Sequence, residues 1–314
     1  MRHTDNDVFP ADPVFNFNPF CFDTGSSYLK RINSKTNIGN KFFQRTLRAF
    51  KYAVFPSKCL ACGRLFHPSP HGPSEKTLFK YERHSPIETV FYRVMTPYLC
   101  PACKTDFSSI EPPFCIQCGR KFKTASGGNH QCGNCIQTPP SFRTIRSAGL
   151  YSGSLKSAIH AFKYKNKVHL SRSLGQLLFF SFMQYYDIRT IDYIIPVPLH
   201  ASRLKQRGFN QAHLLINQWP TICGGISMDA AVCIDYKNLT RKRRTLSQTG
   251  LGRKKRKQNV KGAFAVIDKT KIRGKQVLLI DDVYTTGSTS EECARTLMAS
   301  GAAGVSVLTL ARAD

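Results

Sequence analysis

Four Cys-x-x-Cys pairs constrain this chain more than any other feature of its sequence. They use eight of its 12 cysteines and are separated by 37, 11 and 13 residues: Cys59/Cys62, Cys100/Cys103, Cys115/Cys118 and Cys132/Cys135. Each pair presents two thiolates to one edge of a tetrahedral metal, so two pairs complete a Cys₄ zinc centre. We therefore expect one or two structural Zn²⁺ sites. Spacing leaves the pairing open: the simplest arrangement joins the first pair to the second and the third to the fourth, and an interleaved one also fits.

The composition favours a cytoplasmic protein whose partners carry phosphate groups. No apolar run reaches the roughly 18 residues that span a bilayer, and the N-terminus does not have the pattern of a secretory signal. Reducing conditions in the cytoplasm disfavour disulfides, the alternative for the cysteine pairs. The formal net charge is +27, which predicts nucleic acid or small phosphorylated molecules as partners. The alternative is a charged surface that serves solubility alone.

The chain divides into three predicted parts. Residues 1–50 form an extension, partly disordered, with a basic amphipathic helix beginning near residue 41. Residues 51–140 form a zinc-binding domain, in which metal takes the place of a normal core. Residues 141–314 alternate short apolar strands with helices, which indicates a parallel α/β sheet covered by helices on both faces. The predicted helices cover residues 154–164, 170–186, 208–219 and 290–300, and the predicted strands cover 191–197, 276–282 and 304–310.

Two adjacent carboxylates mark a candidate ligand site. Asp281 and Asp282 follow an apolar strand, and ligands of parallel sheets bind at the carboxyl ends of strands. The pair can accept hydrogen bonds from a ribose diol or hold a divalent ion. The alternative is a Walker-B strand of a nucleoside triphosphatase. That interpretation requires a Gly-x-x-x-x-Gly-Lys-Ser/Thr loop, which the sequence lacks.

A small hydroxyl-rich loop, residues 285–289, comes next and enters a helix. The spacing of Ser288 and Glu291 fits a capping box that starts this helix. Backbone N–H groups at a helix start, together with the helix dipole, bind phosphate. The acidic pair and this loop together predict a site for ribose 5-phosphate.

Residues 277–289 resemble the phosphoribosyl pyrophosphate (PRPP) loop of type I phosphoribosyltransferases. With the cysteine pairs and two further stretches, the chain resembles the ComF family over about residues 50–314. The resemblance implies a type I phosphoribosyltransferase-like parallel sheet preceded by a small Cys₄ zinc-binding domain. It also implies that PRPP, with Mg²⁺, contacts the loop residues Asp281, Asp282, Thr285, Thr286, Gly287, Ser288 and Thr289.

The two further stretches are assigned through the same resemblance. The first contains Arg-Gly-Phe-Asn-Gln at 207–211, and its implied pyrophosphate loop comprises Val197, Pro198, Leu199, His200, Arg203 and Arg207. The second is strongly basic, with 11 Lys and Arg and no acid over residues 237–261. Its implied mobile basic loop includes Arg241, Arg244, Gln248, Arg253, Arg256 and Asn259. Such a run can also hold a nucleic-acid backbone by counterion release.

The family resemblance implies a role in DNA uptake and natural transformation, through incoming single-stranded DNA and the uptake or helicase machinery. Thr285 stands where purine-type transferases often place an acidic base, and a threonine is a poor base near neutral pH. PRPP binding is therefore better supported than any transfer reaction, and whether the chain is an enzyme stays open. Two alternatives are a nucleic-acid-binding adaptor with a catalytically retired transferase fold and a nucleobase-salvage phosphoribosyltransferase.

Overall fold

The structure is a computed structural model, which describes residues 56–68, 85–123, 127–224, 232–245 and 252–313. The predicted extension over residues 1–50, with its basic helix, lies outside the described residues, as does Gln248. The predicted division of the chain at residue 140 stays a prediction. Within the described part, none of the helices combines the length and apolarity that crossing a lipid bilayer requires.

Nine strands occur in the described part of the chain. They are Ser57–Lys58 (β1), Leu65–Phe66 (β2), Ile145–Leu150 (β3), Tyr193–Pro196 (β4), Cys233–Ile234 (β5), Leu239–Arg241 (β6), Phe264–Val266 (β7), Gln276–Tyr284 (β8) and Gly304–Arg312 (β9). Five of them form one parallel sheet in the order β3-β9-β8-β4-β5. The remaining four form two antiparallel pairs, β1 with β2 and β6 with β7.

Ten α-helices accompany these strands among the described residues. They are Ile87–Val94 (α1), Pro101–Lys104 (α2), Gly133–Gln137 (α3), Gly153–Tyr164 (α4), Leu170–Tyr185 (α5), Ala201–Arg207 (α6), Gln211–Ile216 (α7), Trp219–Gly224 (α8), Arg253–Val260 (α9) and Ser288–Ala299 (α10). The described residues also contain one 3₁₀ turn, Ile188–Thr190, which precedes β4.

The sheet is buried on both faces because β8 alternates its side chains between two cores. Leu278 and Ile280 belong to a cluster with apolar residues of α4, α5 and α7. Val277 and Leu279 belong to a second cluster with residues of α10. An unbroken apolar run is what a strand covered on both faces requires. The expected α/β class, a parallel sheet with helices on both faces, is therefore confirmed.

The cysteine region packs against this sheet through both of its cores. Cys59 and Cys100 belong to the cluster of α4 and α5, where Phe91 of α1 stacks on Phe107 at a centroid distance of 4.3 Å. Cys115, with the three later cysteines of the pairs, belongs to the cluster of α10. The cysteine region therefore contributes buried side chains on both sides of the sheet.

Most of the helices and strands predicted for residues 141–314 are present. Their observed bounds differ from the predicted bounds where a capping residue ends or begins a helix. Strand β8 continues past Asp282 to Tyr284. The single helix expected over 208–219 is wrong. Gly208 ends α6 in the left-handed region at φ 82°, and the Asn210 side chain then caps α7 by accepting a hydrogen bond from the Ala212 N–H. A separate helix, α8, begins at Trp219.

Helices α5 and α7 approach closely at Gly175, which makes this glycine a test of the packing. A Cβ at Gly175 would lie 2.4 Å from the backbone oxygen of Leu215. Alanine is favoured over glycine in helices by about 1 kcal/mol, but forcing the two helices apart costs about 1–3 kcal/mol. We expect Gly175→Ala to lower the free energy of unfolding, measured by urea denaturation.

Gly133 of α3 provides the matched control, because a Cβ there meets no atom within 4 Å. We expect Gly133→Ala to unfold at the wild-type urea concentration or slightly above it. A Gly175→Ala variant as stable as Gly133→Ala would contradict the close approach of α5 and α7.

Candidate functional site

A cavity of about 1000 Å³ lies at the carboxyl edge of the sheet. It is surrounded by the ends of β4 and β8, the start of α10 and the helices α4, α6 and α7. The basic segment, residues 237–261, contributes two arginines. It brings together thirteen predicted site residues: Asp281, Asp282, Thr285, Gly287, Ser288, Thr289, Val197, Pro198, Leu199, Arg203, Arg207, Arg241 and Arg256. The three stretches singled out in the sequence therefore meet at one place.

Several predicted residues do not line this cavity. Among the described residues these are Thr286, His200, Arg244 and Asn259. The imidazole of His200 instead caps α6, where its Nδ1 accepts a hydrogen bond from the Ser202 N–H at 3.2 Å. Arg253 is the first residue of α9, but its side chain is outside the described part.

The two aspartates lie on opposite faces of the sheet. Successive side chains of a strand alternate between faces, so Asp282 follows Leu278 and Ile280 while Asp281 follows Val277 and Leu279. Both carboxylates still border the cavity, because it opens at the carboxyl edge where β8 ends. A ligand there can reach one carboxylate from each side of the strand.

Asp282 forms a nearly buried ion pair with Lys163, a residue that the sequence analysis missed. Its Oδ1 lies 2.7 Å from the Lys163 ammonium, and the two side chains are 12% and 14% exposed. Lys163 follows Leu155 and Ile159 at four-residue intervals along α4, and this spacing is a signal in the sequence. A lysine on the buried stripe of a helix requires a partner.

The charges around this pair perturb two pKa values. Burial raises the pKa of Asp281 to about 7, and the neighbouring carboxylate of Asp282 adds to this effect. Burial acts to lower the pKa of Lys163, but the Asp282 carboxylate outweighs it, so the pKa lies above its usual value. At neutral pH the cavity therefore holds an ionised lysine beside a carboxyl group, Asp281, that is close to its titration point.

The hydroxyl-rich loop enters α10 through Gly287 rather than through the expected capping box. Gly287 is the N-cap residue at φ 75°, and a Cβ there would lie 2.3 Å from the Tyr284 hydroxyl. The carboxylate of Glu291 accepts hydrogen bonds from the N–H and hydroxyl of Ser141 instead of capping its own helix. The capping-box prediction is therefore wrong. The glycine lacks a side chain with which to cap the helix.

The basic segment contacts the hydroxyl-rich loop directly. The guanidinium of Arg256, in α9, donates a hydrogen bond of 3.1 Å to the hydroxyl of Thr285. Arg241 lies at the end of β6, where burial lowers its pKa. Arg241 Nε and Gln211 Nε2 are buried, border the cavity and have no hydrogen-bond partner among the described residues. Buried donors without acceptors are rare in native proteins, so both are available to acceptor atoms of a molecule in the cavity.

The eight paired cysteines form two groups of four. Cys59, Cys62, Cys100 and Cys103 make one group and Cys115, Cys118, Cys132 and Cys135 the other, with the sulfur atoms of each group within 4.8 Å of one another. The structure therefore joins the first Cys-x-x-Cys pair to the second and the third to the fourth, which is the simplest of the predicted arrangements. Zn–S bonds of about 2.3 Å in a tetrahedron place sulfur atoms about 3.8 Å apart. Sγ–Sγ distances of 3.8 Å join Cys62 to Cys100 and Cys118 to Cys132. Both groups could hold zinc.

The backbone around each group favours thiolate ligands. The N–H groups of Cys118 and Cys132 lie 3.4 and 3.3 Å from the Sγ of Cys115. Burial acts to raise the pKa of Cys115, but these N–H groups outweigh it and lower the pKa to about 6. Cys59 is lowered to a pKa of about 6 in the same way, against burial, by hydrogen bonds that include the Cys100 N–H.

Arg312 links the second cysteine group to the sheet. It is buried at the end of β9, its guanidinium donates a hydrogen bond to the backbone oxygen of Cys118, and it lies 5.1 Å over the ring of Tyr284. Tyr284 also borders the cavity. The second cysteine group and the cavity therefore share neighbours.

No protein-family model matches the chain. Among solved structures, the chain has a TM-score of 0.26 and 19% identity to an allosteric regulatory enzyme of purine biosynthesis, over 44% of this chain and 25% of that one. A hypoxanthine phosphoribosyltransferase from Staphylococcus aureus gives a TM-score of 0.23 and 17% identity over 46% and 59% of the two chains. The fold class stated above rests on the parallel sheet itself.

Curated proteins give closer matches. Competence protein F of Haemophilus influenzae is 33% identical over 223 residues, which cover 68% of this chain and 90% of the relative. The DNA utilization protein YhgH of Escherichia coli is 31% identical over 217 residues, with the same coverage of 68% and 90%. Competence protein ComFC of Bacillus subtilis is 27% identical over 221 residues. With identity of this level over two thirds of its length and nearly the whole of its relatives, the chain belongs to the ComF family of competence proteins.

Proposed function

We propose that the chain binds PRPP in the cavity at the carboxyl edge of the sheet, and that it does so in the handling of DNA taken up by the cell. The proposal of PRPP binding is carried by one observation: an acidic pair, a helix start and several arginines meet in one cavity. The names of the relatives, competence protein and DNA utilization protein, support the second part.

Each part of PRPP has a chemical counterpart in the cavity. Asp281 and Asp282 accept hydrogen bonds from the ribose hydroxyls. The loop before α10 holds the 5′-phosphate, since the first N–H groups of a helix have no intrahelical partner. Arg203, Arg207 and the two arginines of the basic segment neutralise the pyrophosphate. Five cationic side chains, four arginines and Lys163, line the cavity against two carboxylates, which suits a polyanion.

The Mg²⁺ expected with PRPP does not fit on Asp282. This carboxylate already has the Lys163 ammonium at 2.7 Å, so a divalent cation there would lie beside another positive charge. Asp281, with its pKa raised to about 7, is a weak ligand at neutral pH. The acidic pair is therefore better suited to hydroxyl groups than to a metal.

The same site supports ligand binding better than transfer of the phosphoribosyl group. Thr285 has no carboxylate that could act as a base, and its hydroxyl already accepts a hydrogen bond from Arg256. A general base must reach the proton that it removes, and the predicted position has none. A nucleobase-salvage transferase is therefore the less supported alternative.

Contact with nucleic acid is a second role, favoured by the cations that the cavity does not use. Lys242, Arg243, Arg244, Lys255 and Lys257 are exposed and are not among its lining residues. The guanidinium of Arg243 stabilises the basic segment by donating hydrogen bonds to the backbone oxygens of Asn259 and Lys261. We place single-stranded DNA on this face. The uptake or helicase machinery would be the further partner, with the cytoplasm as the compartment because it keeps cysteines reduced.

The first test removes the acidic pair. We expect Asp281→Asn/Asp282→Asn to bind PRPP about 100-fold or more weakly than wild type in calorimetry with Mg²⁺, because two charge-assisted hydrogen bonds together contribute about 3 kcal/mol or more. Asp187→Asn is the matched control, since this carboxylate pairs with Arg189 away from the cavity. Absence of PRPP binding by wild type would end the proposal.

In the same preparations, binding of single-stranded DNA should weaken steeply with salt and should survive loss of the acidic pair, because phosphate contacts use the basic segment. DNA binding that is lost together with PRPP binding would mean that one site serves both ligands.

The raised pKa of Asp281 predicts how stability depends on pH. The folded chain holds this proton up to about pH 7, whereas the unfolded chain loses it near the usual value of 3.8. The contribution of this group is therefore complete below about pH 4 and is lost as the pH rises to about 7. We expect Asp281→Asn to gain stability over wild type as the pH rises from about 5 to about 8 in urea unfolding. A constant difference would contradict the raised pKa, and Asp187→Asn should show no such gain.

The cysteine groups predict two zinc ions per chain, measured by elemental analysis. We expect Cys115→Ser to retain one and to unfold more easily, because its group packs against the core of α10. Cys233→Ser should retain both, since Cys233 lies in β5 outside the two groups. A metal-free wild type, or two zinc ions in the Cys115 variant, would contradict this prediction.

A further inference from the structure

We propose that Lys163 is a ligand-binding residue of the cavity, and that its ammonium takes the part of a divalent cation on Asp282. This inference rests on the proposed function, because the ligand that it concerns is the sugar phosphate. It assigns to the chain's own lysine the neutralising role that a bound metal would otherwise have.

The position of Lys163 is fixed by helix packing. Phe162, the preceding residue of α4, stacks on Phe209 at a centroid distance of 5.6 Å and is itself fully buried. Phe209 lies just before α7, so this contact holds the end of α4 against the wall of the cavity. Lys163 therefore reaches Asp282 from a rigid element rather than from a flexible surface.

The ammonium has hydrogen-bonding capacity left for a ligand. It carries three N–H donors and no acceptor. Among the described residues, the only acceptor recorded for it is Asp282 Oδ1, and its side chain borders the cavity. The remaining donors suit a ribose hydroxyl or a phosphoryl oxygen bound next to Asp282.

The charges favour the lysine over a metal at this point. The Lys163 pKa is raised, so the ammonium stays charged while it is nearly excluded from water. Removing it would leave Asp282 nearly buried without a cation, next to a second carboxyl group at Asp281. A buried carboxylate without a cation is costly, and Asp282 would then attract a divalent ion, because no ammonium competes with it for the carboxylate oxygen.

The test compares ribose 5-phosphate binding in EDTA and in Mg²⁺ by calorimetry. Ribose 5-phosphate lacks the pyrophosphate that chelates Mg²⁺, so a metal effect reports the carboxylates of the protein. We expect wild type to bind equally well in both buffers. We expect Lys163→Met to bind about tenfold or more weakly in EDTA, with part of the affinity recovered in Mg²⁺.

A second measurement does not depend on the sugar phosphate. We expect Lys163→Met to bind Mn²⁺ alone, detected by electron paramagnetic resonance, and wild type not to bind it in this cavity. Lys163→Met/Asp282→Asn is the matched control for folding, because it removes both charges of the ion pair. It should melt near the wild-type temperature and should not gain Mn²⁺.

The outcomes separate this inference from the proposed function. Wild-type binding that requires Mg²⁺, or a Lys163→Met variant that binds ribose 5-phosphate in EDTA as wild type does, would overturn the role of Lys163 alone. If wild type binds neither ribose 5-phosphate nor PRPP, the proposed function fails. The Mn²⁺ comparison then still decides whether Lys163 occupies the place of a cation, and no gain of Mn²⁺ by Lys163→Met would overturn that statement too.

Discussion

Hydrogen bonding of β8 to a parallel strand on each side is the constraint on which the rest of the structure depends. Because β9 and β4 flank it, its apolar residues must be covered from above and below, which requires helices on both faces. The same arrangement brings the carboxyl ends of the strands to one edge. The acidic pair with the hydroxyl-rich loop, and the arginines of α6 that follow β4, meet there for that reason, although they are far apart in the sequence.

The basic character of the chain has two different structural uses. Some cations line the cavity, where burial, with a contribution from the positive charge of Arg203, lowers the pKa of Arg241. Other cations of the same segment stay exposed around α9. A net charge of +27 therefore cannot be assigned to a single ligand. The division between buried and exposed residues allows a small polyanion and a nucleic acid to be bound by neighbouring surfaces.

Much of the sheet could be predicted from the sequence, because β8 and β9 are apolar runs and α5 is long. The edge strand β3 was missed, since Arg146, Ser147 and Gly149 interrupt its apolar pattern. The location of Asp281 and Asp282 beside the basic segment was implied by the family resemblance, and the cavity contains residues of both. Their placement on opposite faces follows from strand alternation, once β8 is known to continue to Tyr284.

The spacing of Lys163 indicates that this residue needs a partner, but the identity of the partner could not be predicted, because it depends on how α4 crosses the sheet. Nor could the bond from Glu291 to Ser141, which joins residues 150 positions apart in the sequence.

The position of β9 inside the sheet has a consequence for how the chain is made. This strand lies between β3 and β8, so β3 can join β8 in one sheet only after residues 304–312 have left the ribosome. The cysteine groups are synthesised long before then and can take up metal early. A nascent chain would therefore carry the second cysteine group before Arg312, which contacts this group in the folded chain, has been synthesised. This interval exposes an unpaired strand edge to chaperones and to aggregation.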